Sequence, residues 1–170
     1  MNKKIAVTDA CIFIDLFDLG LIDSFFELEI EIHTTVSVIF ELFTEQQQNL
    51  QAYQSADRLI VHNLQEHDYL EIFSQDYPKS LSETDKSVLH IAKKINACIL
   101  SSDKTLRNWA KNNEIEYHGM IWIFDKLVES SILTKKDGII KLRQLVAVNI
   151  IFRNNDPLVV EIEKRLNQWK

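Results

Sequence analysis

The sequence predicts an α/β fold: one domain with a central parallel sheet of about four to five short strands, flanked by helices and closed by C-terminal helices. Three observations carry this. Short apolar runs alternate with stretches of helical periodicity along the chain. One run, "ACILSS" (97–102), is continuously apolar, as a strand buried on both faces of a parallel sheet must be. Only three Gly and two Pro interrupt 170 residues, which suits regular elements joined by short loops.

"KIAVTD" (4–9) reads as a first strand ending in an acid. The segment behind it, "ACIFIDLFDLGLIDSFF", reads as helical: Ile12, Leu16 and Leu19 share a stripe, with Asp15, Asp18 and Asp23 mostly on other faces. "LEIEIHTT" (28–35) alternates apolar and polar residues, as a strand with one covered face does. Helical spacing returns over 36–53, a third strand is expected within 57–64, and the amphipathic "EHDYLEIFSQDY" runs up to Pro78.

"LSETDKSVLHIAKKIN" (81–96) opens with a helix-start signature, Ser82 standing three residues before Asp85. After the 97–102 strand, helix is expected over 103–113, a short strand over 114–119 and a helix over 120–132. Two more helices, near 136–148 and 156–169, complete the pattern. The division expected is a main domain over 1–133 and a helical extension over 134–170 packed on it. Trp109, Trp122, Phe124 and Trp169 are read as core residues rather than a partner surface.

Composition excludes some functions. No apolar run approaches the roughly 18 residues of a membrane span. The basic start "MNKK" imitates a signal peptide, but Asp9 and Asp15 interrupt the apolar stretch behind it, so a cytoplasmic chain is expected. Cys11 and Cys98 have no metal-like spacing and read as reduced, buried thiols, with zinc not expected. The net charge of −6 argues against broad nonspecific binding to nucleic acid, without excluding an enzyme that gathers acids at a metal.

Reactive groups of open α/β sheets collect at the carboxyl ends of the strands. Asp9 ends the first strand, Asp103 follows the 97–102 strand, Glu41 lies on the helix after the second strand, and Asp85 sits in the first turn of its helix. Each also has a local explanation: helix caps for Asp9 and Asp103, a solvated face for Glu41, a helix-dipole partner for Asp85. As a set they point to a cation. Two ionised carboxylates about 4 Å apart repel by roughly 4 kcal/mol at an effective dielectric near 20. Hard oxygen donors suit Mg²⁺ or Mn²⁺, which activate water and neutralise charge on a phosphate.

With these residues in place, the sequence resembles the PIN-domain family of metal-dependent ribonucleases, which includes VapC-type toxins. "AVTDACIFIDL" resembles the family's first-strand motif and "TTVSVIFEL" the segment of its second acid. The run from "LSETDKSVLHIAKKIN" through "ACILSSDKTLRNWAKNNEIEYHG" is similar to its longest and most specific stretch, and the end of the chain to a subgroup with C-terminal helices. Matched position by position, the resemblance implies an acidic quartet of Asp9, Glu41, Asp85 and Asp103, with Ser101 at a small hydroxyl position two before the last acid. Cys11 departs from the Asn, Ser or Thr common two residues after the first acid, and Ser102 stands where some relatives carry a further acid.

The resemblance implies divalent-metal-dependent hydrolysis of single-stranded RNA, leaving 5′-phosphate and 3′-hydroxyl ends. Ser101 would orient Asp9 or a water. Lys86, Lys104 and Arg107 stand beside the acids as phosphate contacts, or are ordinary solvated helix faces. Implied partners are RNA, a cognate antitoxin if the chain is a toxin, and a second copy in a homodimer. The rival expectation is a catalytically degenerate module of the same fold that binds RNA or a partner protein. A phosphoacceptor receiver domain ranks lower, because no acidic pair accompanies Asp9.

Overall fold

The computed structural model describes residues 3–170, so Met1 and Asn2 of the basic start lie outside the described residues. Five strands form one all-parallel sheet in the order β3-β2-β1-β4-β5: β1 (Lys4–Thr8), β2 (Ile30–Thr35), β3 (Leu59–His62), β4 (Cys98–Leu100) and β5 (Tyr117–His118). The first crossovers build outward on one side of β1 and the later ones on the other. The sheet's topological switch point therefore lies between β1 and β4.

The helices are α1 (Ala10–Asp18), α2 (Ile22–Glu27), α3 (Val36–Phe40), α4 (Thr44–Ser55), α5 (Glu66–Ser74), α6 (Glu83–Lys94), α7 (Lys104–Asn112), α8 (Met120–Glu129), α9 (Lys135–Val148), α10 (Ile150–Arg153) and α11 (Asp156–Gln168). Helix α6 packs across β1, β2 and β4, driving Val88, Leu89 and Ile91 into the core against Val7 and Ile99. Helix α8 packs on β5 and α2 and contributes Phe124 to the same core.

Two helices expected as continuous are broken. The one expected behind β1 stops at Asp18 because Gly20 adopts φ +64°, with Leu21 N–H donating to Leu16 O and Gly20 N–H to Phe17 O. This is a Schellman ending, which needs a left-handed residue at that position. The 36–53 helix breaks around Glu41–Phe43, so Glu41 caps the end of α3 rather than riding inside a helix. The same left-handed turn recurs at Asp57, Asn96, Glu114 and Ser131, each following a helix. Non-glycine residues thus supply four of these five left-handed helix stops.

Other expectations shift in detail. Strand β2 is covered more fully than alternation suggests: Ile32 through Thr35 are all buried. Helix α5 ends at Ser74, four residues before Pro78. Short α10 was not expected. Asp15 does not lie on an outer face. It is buried and accepts a hydrogen bond from Asn149 Nδ2 at 2.9 Å. Trp122 and Trp109 are half-buried, while Phe124 and Trp169 are buried.

The C-terminal helices pack on the rest through specific contacts. Lys141 Nζ donates to Leu19 O at 2.6 Å, and Arg165 grips the Asp125 carboxylate at 2.9 and 3.2 Å. Gly138 lets Trp169 and Val128 approach α9 so closely that a Cβ there would meet both at 3.1–3.3 Å.

Candidate active site

Asp9 follows β1 at the switch point and is 5 % exposed. Its backbone N–H donates to Leu100 O at 2.9 Å, which fastens the β1–α1 turn to the end of β4. As N-cap of α1 it accepts from Ala10 N–H on Oδ1 at 2.8 Å. Oδ2 accepts from the Ser101 hydroxyl at 2.8 Å and from the Cys11 thiol at 3.3 Å. Burial raises the carboxyl above its ordinary range; the Ser101, Ala10 and Cys11 hydrogen bonds work against that, and the charge of Asp85 adds to it. Asp85 is therefore an electrostatic neighbour of Asp9.

Ser101 is fully buried, and its oxygen also accepts from Asp103 N–H at 3.1 Å, so one hydroxyl links the first acid to the backbone of the last. Asp103 is the exposed N-cap of α7, with Oδ1 accepting from Leu106 N–H at 2.7 Å. Asp85 completes a reciprocal capping box at the start of α6: Oδ2 accepts from Ser82 N–H at 2.8 Å, and Ser82 Oγ from Asp85 N–H at 3.1 Å. Among the described residues, Asp85 Oδ1 and Asp103 Oδ2 accept no hydrogen bond.

The structure thus brings Asp9, Ser101 and Asp103 into one hydrogen-bonded chain and puts Asp85 within electrostatic reach. Glu41 is exposed at the end of α3, its side chain in no hydrogen bond or ion pair with a described residue. Helix α3 packs on α6, and a buried hydrogen bond of 2.8 Å joins Thr35 Oγ1, at the end of β2, to Ser87 Oγ on α6. Glu41 and Asp85 therefore hang from elements that are tied together. Lys86 is paired with Glu83 at 2.7 Å, the Arg107 guanidinium lies 5.0 Å over the Tyr117 ring, and Lys104 is exposed.

Two groups matter more than their place in the sequence suggests. Cys11 is half-buried and accepts from Ser102 N–H at 3.3 Å while donating to Asp9. Burial, with the charge of Asp9 second, pushes its thiol up to about 12, so it is a neutral donor. Its place two residues after the N-cap was the available signal. Thr8 Oγ1, at the end of β1, and Ser102 Oγ, just past β4, are buried without a partner among the described residues. Alternation within a strand as short as β1 gives no hint of the Thr8 hydroxyl.

Would this site suit a divalent cation? Its donor chemistry does: the acids are hard oxygen ligands, Asp85 Oδ1 and Asp103 Oδ2 are uncommitted among the described residues, and the buried hydroxyls of Thr8 and Ser102, next to Asp9 and Asp103 in sequence, have no partner there. Its spread is wider than a closed cage, for among the described residues no three His, Cys, Asp or Glu side chains gather closely enough to hold a metal.

A structure described as a PilT N-terminus domain protein from the hyperthermophilic archaeon Sulfolobus solfataricus P2 is similar at 17% identity and TM-score 0.44, covering 74% of this chain and 94% of that one. A domain of a functionally unknown protein from Methanocaldococcus jannaschii DSM 2661 is similar at 23% identity and TM-score 0.48, covering 68% and 90%. No curated protein sequence matches the chain. Among the described residues no helix is long and apolar enough to cross a membrane. A family model described as a PIN domain matches residues 5–168, running through the C-terminal helices as well. The chain belongs to the PIN-domain family, whose fold is generally that of a nuclease.

Proposed function

We propose that the chain is a divalent-metal-dependent endoribonuclease acting on single-stranded RNA. The observation that carries this reading is the Asp9 carboxylate: buried at the switch point, hydrogen-bonded by Ser101 and facing the charge of Asp85. A buried carboxylate beside a second acid is costly without a cation. Asp9, Asp85 and Asp103 would hold Mg²⁺ or Mn²⁺, with Glu41 completing the set from α3. The ion would supply an activated water and charge neutralisation at the phosphate. Ser101 orients Asp9 and favours its ionised form against the burial that raises it. Lys104, Arg107 and Lys86 stand near enough in sequence to the acids to steady flanking phosphates.

The division into a nuclease part (1–133) and a helical extension (134–170) belongs to this proposal. So do a cytoplasmic location, a homodimer, and an antitoxin partner should the chain act as a VapC-type toxin. The deciding experiment is cleavage of a mixed RNA pool with Mg²⁺ or Mn²⁺, wild type against Asp9→Asn, with product ends mapped. Metal-dependent cleavage leaving 5′-phosphates, abolished in a folded Asp9→Asn protein, supports the proposal; full activity in that variant refutes it.

The spread of the carboxylates favours one second reading, a module of this family that binds without cutting. Calorimetric titration with Mn²⁺ separates the two. Binding that disappears in Asp9→Asn and Asp103→Asn favours the nuclease; no Mn²⁺ binding by the wild type favours the binding module.

A further inference from the structure

Away from the carboxylate edge, a cleft of about 260 Å³ opens between α5, the loop behind it and the second half of α6, lined by Glu71, Gln75, Tyr77, His90, Lys93 and Lys94. His90 lies five residues beyond Asp85 on α6, about 7.5 Å along the axis and roughly 140° around it, so the cleft faces a different way.

Its floor is built rather than incidental. Asp68 is 3 % exposed; Oδ2 accepts from Gln65 N–H, and Oδ1 accepts from His90 Nε2 and Lys94 Nζ, each at 2.8 Å. Burial works to raise this carboxyl, but the bonds from Gln65, Lys94 and His90 outweigh it and hold it well below the usual range. An ionised carboxylate only accepts, so His90 Nε2 carries the proton and Nδ1 is the free nitrogen. The imidazole side chain is 8 % exposed and lines the cleft, and its Nδ1 has Glu71 at 3.9 Å, beyond hydrogen-bond reach. A buried, oriented imidazole with one unpartnered nitrogen is the feature that marks a ligand site here.

Around it stand Lys93, exposed and in no ion pair among the described residues, the Lys94 ammonium, the Gln75 amide and the Tyr77 phenol. Tyr77 packs on Trp109 with centroids 4.7 Å apart, so the wall is aromatic two rings deep. Ammonium groups and an imidazole beside an aromatic wall match a phosphate attached to a planar base. Two acids oppose an anion here: Asp68, beneath the lining and already bonded to His90 and Lys94, and Glu71 within it, whose side chain is 67 % exposed and free to turn into solvent.

We propose that this cleft binds the phosphate of a nucleoside monophosphate unit, with Lys93 and Lys94 as donors, His90 Nδ1 accepting from a phosphate hydroxyl, and Tyr77 against the base. The site is independent of the carboxylate edge and of the nuclease reading. Two sources share this chemistry: a free mononucleotide, and the 5′-phosphorylated end of an RNA.

The test uses the full chain and follows Trp109 fluorescence, with Trp109→Phe as the silent control, during titration with inorganic phosphate, uridine, uridine 5′-monophosphate, and 5′-phosphorylated and 5′-hydroxyl forms of one short RNA. Expected is saturable binding of the monophosphate, with uridine at least tenfold weaker. Lys93→Gln should weaken it about tenfold, Glu71→Gln should strengthen it severalfold, and Asp9→Asn should leave it unchanged. Binding of the monophosphate but not the RNA assigns the free nucleotide; tighter binding of the 5′-phosphorylated RNA than of its 5′-hydroxyl form assigns the RNA end. No saturable response to any phosphate-bearing probe overturns the proposal, as does a response that Lys93→Gln leaves intact. Lys93 and Glu71 are exposed, so neither substitution confuses binding with folding.

Discussion

Ser101 donates its hydroxyl to Asp9 Oδ2 at 2.8 Å across the switch point of the sheet, although 92 residues of chain separate them. The same oxygen accepts from Asp103 N–H, so it is spent on both sides of the site. Ser101→Ala leaves a buried carboxylate oxygen short of its best donor and a backbone N–H short of its acceptor. The expected cost is about 1–3 kcal/mol in urea unfolding. Asp9 should become harder to ionise, moving the acid limb of any metal-dependent cleavage to higher pH.

Asp15 provides a stability test clear of the candidate site. Burial, opposed by the Asn149 hydrogen bond and aided by the charge of Asp18, raises its carboxyl from 3.8 to about 6, and Oδ2 is buried without a partner among the described residues. A carboxyl raised in the folded state favours folding while protonated, and that contribution is lost as pH climbs from about 4 through 6. Asp15→Asn should therefore match the wild type near pH 4 and exceed it by roughly 1–2 kcal/mol at pH 8. Urea midpoints at the two pH values check this; an equal gap at both would contradict it.

The two thiols should be inert in the native protein. Burial pushes Cys11 up to about 12, with the Asp9 charge contributing, and Cys98 up to about 11. Thiolate is the reactive species, so iodoacetamide at pH 8 should modify neither until the chain is unfolded. Intact-mass measurement with and without denaturant reads the result directly.

Gly138 tests how the C-terminal helices seat. A methyl group there meets Val128 at 3.1 Å and the Trp169 ring at 3.2 Å. Overpacking of this kind costs about 1–3 kcal/mol, so Gly138→Ala should lower Tm by several degrees. Trp169 emission should shift if α11 gives way. An unchanged Tm would mean that the ring moves freely.

Glu41 is exposed and joined to no described residue, so Glu41→Gln should leave the urea midpoint unchanged while lowering metal-dependent cleavage at least tenfold. A loss of stability would mean that the side chain has a structural role.

Much of this was legible in the sequence, and for identifiable reasons. Strand runs and helical stripes place β1, β4 and α6 because burial imposes periodicity, and Ser82–Asp85 announces its capping box in two letters. The breaks after Asp18 and Phe40 were not legible from periodicity, since the apolar pattern continues across them. Gly20 was the clue to the first; the second carried no glycine or proline. Asp15 misled because a carboxylate on a helix is expected to face water, and only Asn149, 134 residues away, accounts for its burial. Of the candidate site, Asp9, Ser101 and Asp103 could be placed because they follow strands. The isolation of Glu41 could not, because it depends on where α3 stops.

Asp9, Asp85 and Asp103 each use one carboxylate oxygen to start a helix. Selection on folding alone would therefore preserve all three, even in a descendant that had given up catalysis. Glu41 begins no helix and props up nothing. If the chain cuts RNA as proposed, Glu41 is the residue whose drift among its relatives would betray a lost activity.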